Sequence, residues 1–427
     1  MKFALISHVM PPSWSGQAMM LARLLSDFDP GDYCLISAQP PARGEDAYAQ
    51  SLPARYYHLP HEVFLNRGFR HGLQYVRRSV NFAADVRRRA RLIAEIVERE
   101  GARVILACSG DLEDLPAAYL ASRRARVPFC AYIFDYYSHQ FVAPEERAVA
   151  RAVEPLFIRR AARILTTNVV LSEELRERYG VAPEVLHNPC DLEEYEALAG
   201  ARVEEDDDGG ADVEGAGEIK IVYTGAVYEA HFDAFRNLLR AVEELNRGGA
   251  GAGRARIRLH LYTAQTPSDL AAKGVAGPIV FHPHRHVSEM PAVQRRADVL
   301  FLPLAFESPF PVLVKTSAPS KFPEYLASGR PILGHAPEGS FVSRYLREHE
   351  CGVVVDRNDA GEVRRALETI LSDAELRARV GERARRRAAA DFDGAKLRAR
   401  FADLLRLDDA RPSASRAAAE GGTGARL

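Results

Sequence analysis

The sequence predicts an α/β protein built as two doubly wound, Rossmann-like domains. Three observations carry this expectation. Short apolar runs alternate with helix-like stretches from the first residues onward, a second series of the same kind begins past the midpoint, and a polar, acidic segment separates the two.

In the first series, residues 3–7, 33–37, 104–108, 129–134 and 164–167 read as buried strands, with helix-like stretches such as 17–26 and 84–100 between them. The second series comprises residues 219–223, 256–262, 279–281, 299–302, 331–333 and 352–355. Such alternation predicts parallel sheets with helices on both faces. The expected first domain spans 1–198 and the second 218–392. Residues 199–217 contain Glu204-Glu205-Asp206-Asp207-Asp208-Gly209-Gly210 and almost no large apolar residue, so they are expected to be a solvated linker. Helical patterns follow at 361–371, 373–390 and 394–407, and the Ser-, Gly-, Ala- and Arg-rich tail 408–427 is expected to be disordered.

Composition narrows the functional class. Of 427 residues 47% are hydrophobic, ample for two cores, and Lys plus Arg (57) nearly balance Asp plus Glu (58), so no overall field draws the chain to nucleic acid. The five cysteines form no CxxC pair and lie in or beside apolar runs, which predicts free, buried thiols in a reducing cytoplasm. The opening apolar run is too short for a signal peptide, and no stretch approaches a membrane span. No GxGxxG or GxxxxGK[ST] is present, so neither a nicotinamide cofactor nor a P-loop is indicated.

The most informative stretch is Ala318-Pro319-Ser320-Lys321-Phe322-Pro323-Glu324-Tyr325-Leu326-Ala327-Ser328-Gly329-Arg330-Pro331. It reads as a loop, a short helix, a glycine stop and the start of a buried strand. A helix start with Lys321 beside it suits a diphosphate, and a carboxylate such as Glu324 can accept hydrogen bonds from ribose hydroxyls. The phrase resembles the nucleotide-sugar site of family 4 (group 1) glycosyltransferases with the GT-B fold, whose variant motif reads Pro-x-Lys-x-x-Glu-Tyr-Leu-Ala-x-Gly-x-Pro.

The resemblance implies a nucleotide diphosphate-sugar donor as co-substrate with no other cofactor, and a glycan, lipid-linked or small-molecule acceptor. Transfer across a cleft between the two facing domains with retention of configuration is implied as well, and so is a last helix, 393–407, that crosses back onto the first domain. Because the leaving diphosphate is held by cations and helix N-termini, no divalent metal is expected to be required. It also assigns residues. Pro11-Pro12-Ser13-Trp14-Ser15-Gly16 is similar to the family's Pro-Pro-x-x-Gly-Gly loop, which places Ser15 and Gly16 at the donor. Gly225 follows the strand at 219–223 as the family's sugar-diphosphate loop does, but the Arg and Lys-Gly that usually come next are absent. Phosphate charge then falls to Lys321, to Arg285 and to the helix start at Gly339 and Ser340.

Asp135 and His139 follow the strand at 129–134, where family members place an acceptor-side His or His-Asp pair; either residue can take a proton from an acceptor hydroxyl. The family's first glutamate is missing, since Thr316 stands eight residues before Glu324, and Glu307 is the expected substitute. Two alternatives use the same grip: a nucleotide-sugar 2-epimerase, and a non-catalytic sugar-nucleotide or glycan-binding protein.

Metal sites are not expected. Asp206-Asp207-Asp208 lies in a solvated loop, and the alternating His282, His284 and His286 have no fourth ligand nearby. The stretch 66–99, in contrast, carries nine arginines against three acids, an excess of six. Its patch, bounded by Arg67 and Arg91, is expected to attach the protein peripherally to the anionic inner face of a membrane.

Overall fold

The computed structural model of the chain describes residues 2–13, 15–41, 51–65, 73–198, 217–248, 255–283 and 285–407. The first sheet has seven parallel strands: β1 (Phe3–Ile6), β2 (Tyr33–Ser37), β3 (Arg55–His58), β4 (Val104–Cys108), β5 (Phe129–Ile133), β6 (Arg163–Thr166) and β7 (Glu184–Val185). The second has six: β8 (Glu218–Thr224), β9 (Arg256–Tyr262), β10 (Ile279–His282), β11 (Val299–Pro303), β12 (Ile332–His335) and β13 (Val353–Val355). Their spatial orders are β3-β2-β1-β4-β5-β6-β7 and β10-β9-β8-β11-β12-β13.

Each order reverses once, between β1 and β4 and between β8 and β11. Ligands of open parallel sheets bind beyond the carboxyl ends of the strands at such a switch point. Every residue of β1, β2, β4, β5 and β11 is buried, as expected where helices cover both faces. The two-residue period then sorts side chains between cores. Ala4, Ile6, Ile105 and Ala107 meet Val86, Ala90, Ile93 and Val97 of the helix Leu73–Glu100, while Phe3, Leu5, Val104 and Leu106 meet the opposite layer. Each fully buried Ile, Leu or Phe contributes about 1.5–3 kcal/mol, so these layers hold the strand ends in place.

The last helix, Gly394–Leu405, packs on the first domain. Asp393 caps it by accepting from Ala395 N, and Phe401 enters the layer of Phe3 and Phe28 with ring centroids 6.3 and 5.8 Å away. Cys190 N donates to Phe392 O at 2.8 Å where the chain crosses between the sheets. All five cysteines are free and buried, and burial pushes the Cys34 and Cys130 thiols up to about 12. No helix among the described residues is long and apolar enough to cross a membrane.

The arginine-rich helix begins at Leu73, eleven residues before the expected start at 84, because its first turns expose apolar side chains and break the one-faced pattern. Strands β3 and β7 were not expected. The first is a half-exposed edge strand, Arg-Tyr-Tyr-His, and the second has two residues. The acidic run with Asp206-Asp207-Asp208, the tail 408–427, Trp14 and His284 lie outside the described residues, as do the first arginines of the patch, Arg67 and Arg70.

Candidate active site

The carboxyl ends of the two sheets face a shared cleft of about 820 Å³. On the first-domain wall, β1 runs into His8, and Gly110 follows β4 with φ +148°. A Cβ at 110 would overlap the His8 ring, so glycine is required there. Burial lowers the pKa of His8, and its Nδ1 has no hydrogen-bond partner among the described residues. Ser15 caps the helix Gly16–Leu25 by accepting from Ala18 N at 3.2 Å. A Cβ on Gly16 would stand 3.1 Å from Ser320 Oγ of the second domain, so the two walls touch here.

Asp135 lies at the end of β5 and keeps contact with solvent. The enclosing walls nonetheless strip water from its surroundings and raise its pKa. Facing it is Tyr228, whose phenol is pushed up to about 12 by its enclosure and then by the Asp135 charge. The two groups therefore lie within electrostatic reach across the cleft.

The second-domain wall is organised by the loop after β8. Gly225 has φ +114°, and a Cβ there would sit 3.2 Å from Lys321 Nζ, so glycine serves both the turn and the approach of the lysine. Gln265 braces the loop, accepting from Val227 N at 2.6 Å and donating to Val227 O at 2.8 Å. Lys321 donates to Tyr223 Oη at 2.8 Å and lies 4.2 Å from the centre of that ring. No carboxylate forms an ion pair with it among the described residues. Desolvation, only partly offset by Glu324, pushes the Lys321 ammonium down to about 8.

Glu324 opens the helix Phe322–Ser328 and is only 6% exposed. Its Oε1 accepts from Arg23 of the first domain at 2.7 Å and its Oε2 from Gln294 Nε2 at 3.1 Å. Tyr195 Oη donates to Gln294 Oε1 at 2.8 Å, which extends the contact to the hinge segment. The motif glutamate is thus also a buried bridge between domains.

Of the residues predicted from sequence, Ser15, Gly16, Asp135, Gly225, Arg285, Lys321 and Glu324 line the cleft. Four others do not. The 3-10 turn Tyr137–His139 carries His139 away from it, to Arg178 NH1 at 3.0 Å and against the Tyr136 ring. Asp233 captures the backbone N–H groups of Phe306 and Glu307, and the Glu307 side chain accepts from Asn358. Gly339 and Ser340 lead into the helix Phe341–Glu348, where Ser340 Oγ accepts from Ser343 N. Arg285 pairs with Glu289 at 3.1 Å.

Sequence reasoning missed His8, Gln17, Asn188, Gln265 and Arg23. For His8 the signal was its place directly after an apolar strand; for Arg23, 301 residues from Glu324, no local signal exists. His282 lies 2.9 Å from the ring of His260, and His286 caps a 3-10 turn, so these two histidines do not gather a metal site. Among the described residues one group, His61, Asp111 and Glu113, has metal-ligand spacing. Both His61 nitrogens already face carboxylates, Asp85 at 2.8 Å and Asp111 at 3.0 Å, and these hydrogen bonds push it up to about 10.

Residues 218–373, most of the second domain, match the family model described as glycosyl transferases group 1. No curated protein matches the chain in sequence. Solved structures match it along nearly its whole length. The chain is similar to a glycosyltransferase from Rickettsia africae (12% identity, TM-score 0.64, covering 95% of this chain and 98% of the other). It is similar to HepE from Anabaena in complex with UDP and glucose (14%, 0.62, covering 95% and 99%). It is also similar to sucrose-phosphate synthase from Thermosynechococcus elongatus (14%, 0.63, covering 95% and 98%). Such low identities establish the shared fold. Residues 218–373 thus resemble group 1 glycosyltransferases, and the two facing domains around that segment have the GT-B fold.

Proposed function

We propose that the protein transfers a sugar from a nucleotide diphosphate-sugar, held mainly by the second domain, to a hydroxyl of an acceptor held by the first. The single observation that carries this reading is Lys321. A cation desolvated in a cleft, with a hydroxyl and a ring face as its partners among the described residues, is stabilised when a ligand brings negative charge. The diphosphate lies between Lys321, the Gly225 loop and Arg285, and the nucleoside reaches toward Glu324.

The reaction follows from this placement. The bond from the anomeric carbon to the phosphate oxygen breaks, and the diphosphate leaves with its charge met by Lys321. The acceptor hydroxyl oxygen forms the new glycosidic bond, and its proton passes to Asp135, whose raised pKa makes it the stronger base. In this reading the protein's own cations meet the leaving charge, so added divalent ions do not raise turnover. Retention of configuration is adopted from the family resemblance.

HepE is solved with UDP-glucose as well as UDP, so UDP-glucose is the first donor to test. Calorimetry should show UDP binding, and turnover with a panel of hydroxyl acceptors should release UDP with an equal amount of glycoside. Release without glycoside, or a change of sugar configuration at C2, would overturn the transfer reading.

A further inference from the structure

The first domain carries an apolar surface that its own core leaves uncovered. After β3 the chain reaches Val63 (62% exposed), Phe64 (47%) and Leu65 (37%). Asn81 holds this segment outward against the helix Leu73–Glu100. Its Oδ1 accepts from Phe64 N at 3.1 Å and Leu65 N at 2.8 Å, and its Nδ2 donates to Leu65 O at 3.3 Å. On that helix Leu73, Val76 and Val80 share a stripe at spacings of three and four and are between 44% and 57% exposed. Exposed apolar side chains grouped in this way mark an interaction surface.

The charges beside the stripe that lack an ion-pair partner among the described residues are of one sign. Helical spacing continues it through Arg87 to Arg91, with Arg77 at its side. No carboxylate pairs with Arg77, Arg87 or Arg91 among the described residues. Their neighbours Arg78, Arg88 and Arg89 are tied to Glu113, Glu62 and Asp114. Apolar side chains beside unpaired arginines complement one partner in both respects, a hydrocarbon layer under negatively charged headgroups. A second copy meeting the same face would bring arginines against arginines.

We propose that this surface docks the protein on an anionic lipid bilayer, with Phe64, Val76 and Val80 entering the interface and Arg77, Arg87 and Arg91 meeting the lipid phosphates. The surface adjoins the acceptor wall, since His61, two residues before Val63, faces Asp111, which follows Gly110 of the cleft. Docking does not depend on the transfer reading. It turns the arginine-rich patch of the sequence into a surface with an apolar centre, so binding has a part that salt does not screen.

Flotation of the full chain with vesicles of phosphatidylcholine, alone or mixed with phosphatidylglycerol, tests it. The mixed vesicles should carry the protein at low salt and the neutral ones should not. Arg87→Ala and Arg91→Ala should each weaken partitioning roughly fivefold. Phe64→Ser with Val76→Ser should weaken it about tenfold or more at all salt concentrations, with UDP binding unchanged. A Phe64→Trp variant should shift its emission to the blue on mixed vesicles, measured against the wild type, whose single tryptophan is Trp14. Failure of the wild type to float with mixed vesicles at low salt overturns the proposal while leaving transfer standing. So does emission from the Phe64→Trp variant that stays at its solvent position. A concentration-dependent dimer abolished by Phe64→Ser with Val76→Ser would assign the face to a second copy instead.

Discussion

The two walls of the cleft hold charge in opposite ways. Behind the first-domain wall the ionised groups satisfy one another: Arg89 with Asp114, Arg78 with Glu113, and His61 between Asp85 and Asp111. The second-domain wall presents Lys321, which no carboxylate pairs among the described residues. An uncompensated charge in a desolvated place is costly, so it marks where a ligand supplies the counter-charge. In the proposed reading this difference corresponds to an anionic diphosphate on the second domain and a neutral acceptor hydroxyl on the first.

The sharpest way to break this comparison is to remove Asp135, the acid that faces the cleft from the first wall among the described residues. Asp135→Asn keeps shape and polarity but cannot take a proton, so turnover should fall about 10²- to 10⁴-fold with donor affinity unchanged. An equal loss in donor affinity would move Asp135 to the donor side.

The Arg23–Glu324 bridge gives the next largest effect, and it concerns stability. Both side chains are nearly buried, at 11% and 7% exposure. Glu324→Ala leaves the Arg23 guanidinium, among the described residues, with only Asp191 at 3.7 Å and the Pro189 carbonyl at 3.3 Å, and should lower unfolding stability by about 3 kcal/mol. Adding Arg23→Ala should restore part of the loss, which a double-mutant cycle in urea measures. Additive losses would show that the pair is not coupled.

Lys321→Ala should weaken UDP binding roughly ten- to hundredfold, since a hydrogen bond to a charged group contributes about 1.5–3 kcal/mol. Uridine, which lacks the phosphates, should bind both proteins alike. Equal losses for uridine and UDP would remove Lys321 from the diphosphate.

Much of the donor wall was legible because its signals are local. Lys321 and Glu324 stand three residues apart at a helix start, and Gly225 directly follows a strand. What escaped depends on where the chain returns in space. Arg23 reaches Glu324 across both domains, and the motif alone cannot reveal that both carboxylate oxygens already have protein partners. Asp135 and His139 share a loop, yet one turn of 3-10 helix sends them to different environments. Glu307 was a chemically sound choice by position, but the grip of Asp233 on its backbone fixes the loop outside the cleft. In the same way the alternation of apolar runs revealed both sheets, while the half-exposed edge strand β3 gave too weak a pattern.

The smallest expected effect is the dependence of donor affinity on pH, and its sign follows from Lys321. Desolvation holds the free ammonium down to about 8, against an ordinary lysine value of 10.5. A bound diphosphate favours the charged form, so the pKa in the complex lies higher. Below pH 8 the free protein already carries the proton and affinity should be flat. Above it, binding must also take up a proton, and the dissociation constant should rise by up to about tenfold per pH unit until the pKa of the complex is reached. UDP-glucose is the better ligand for this measurement than UDP, because its diphosphate does not titrate in this range. Lys321→Arg, which stays charged throughout, should flatten the profile even if its different shape weakens binding overall. Calorimetry from pH 6.5 to 9.5 decides the matter. A wild-type profile as flat as that of the arginine variant would mean that the lysine proton is not what the donor binds, and the contrast between the two walls would lose its chemical basis.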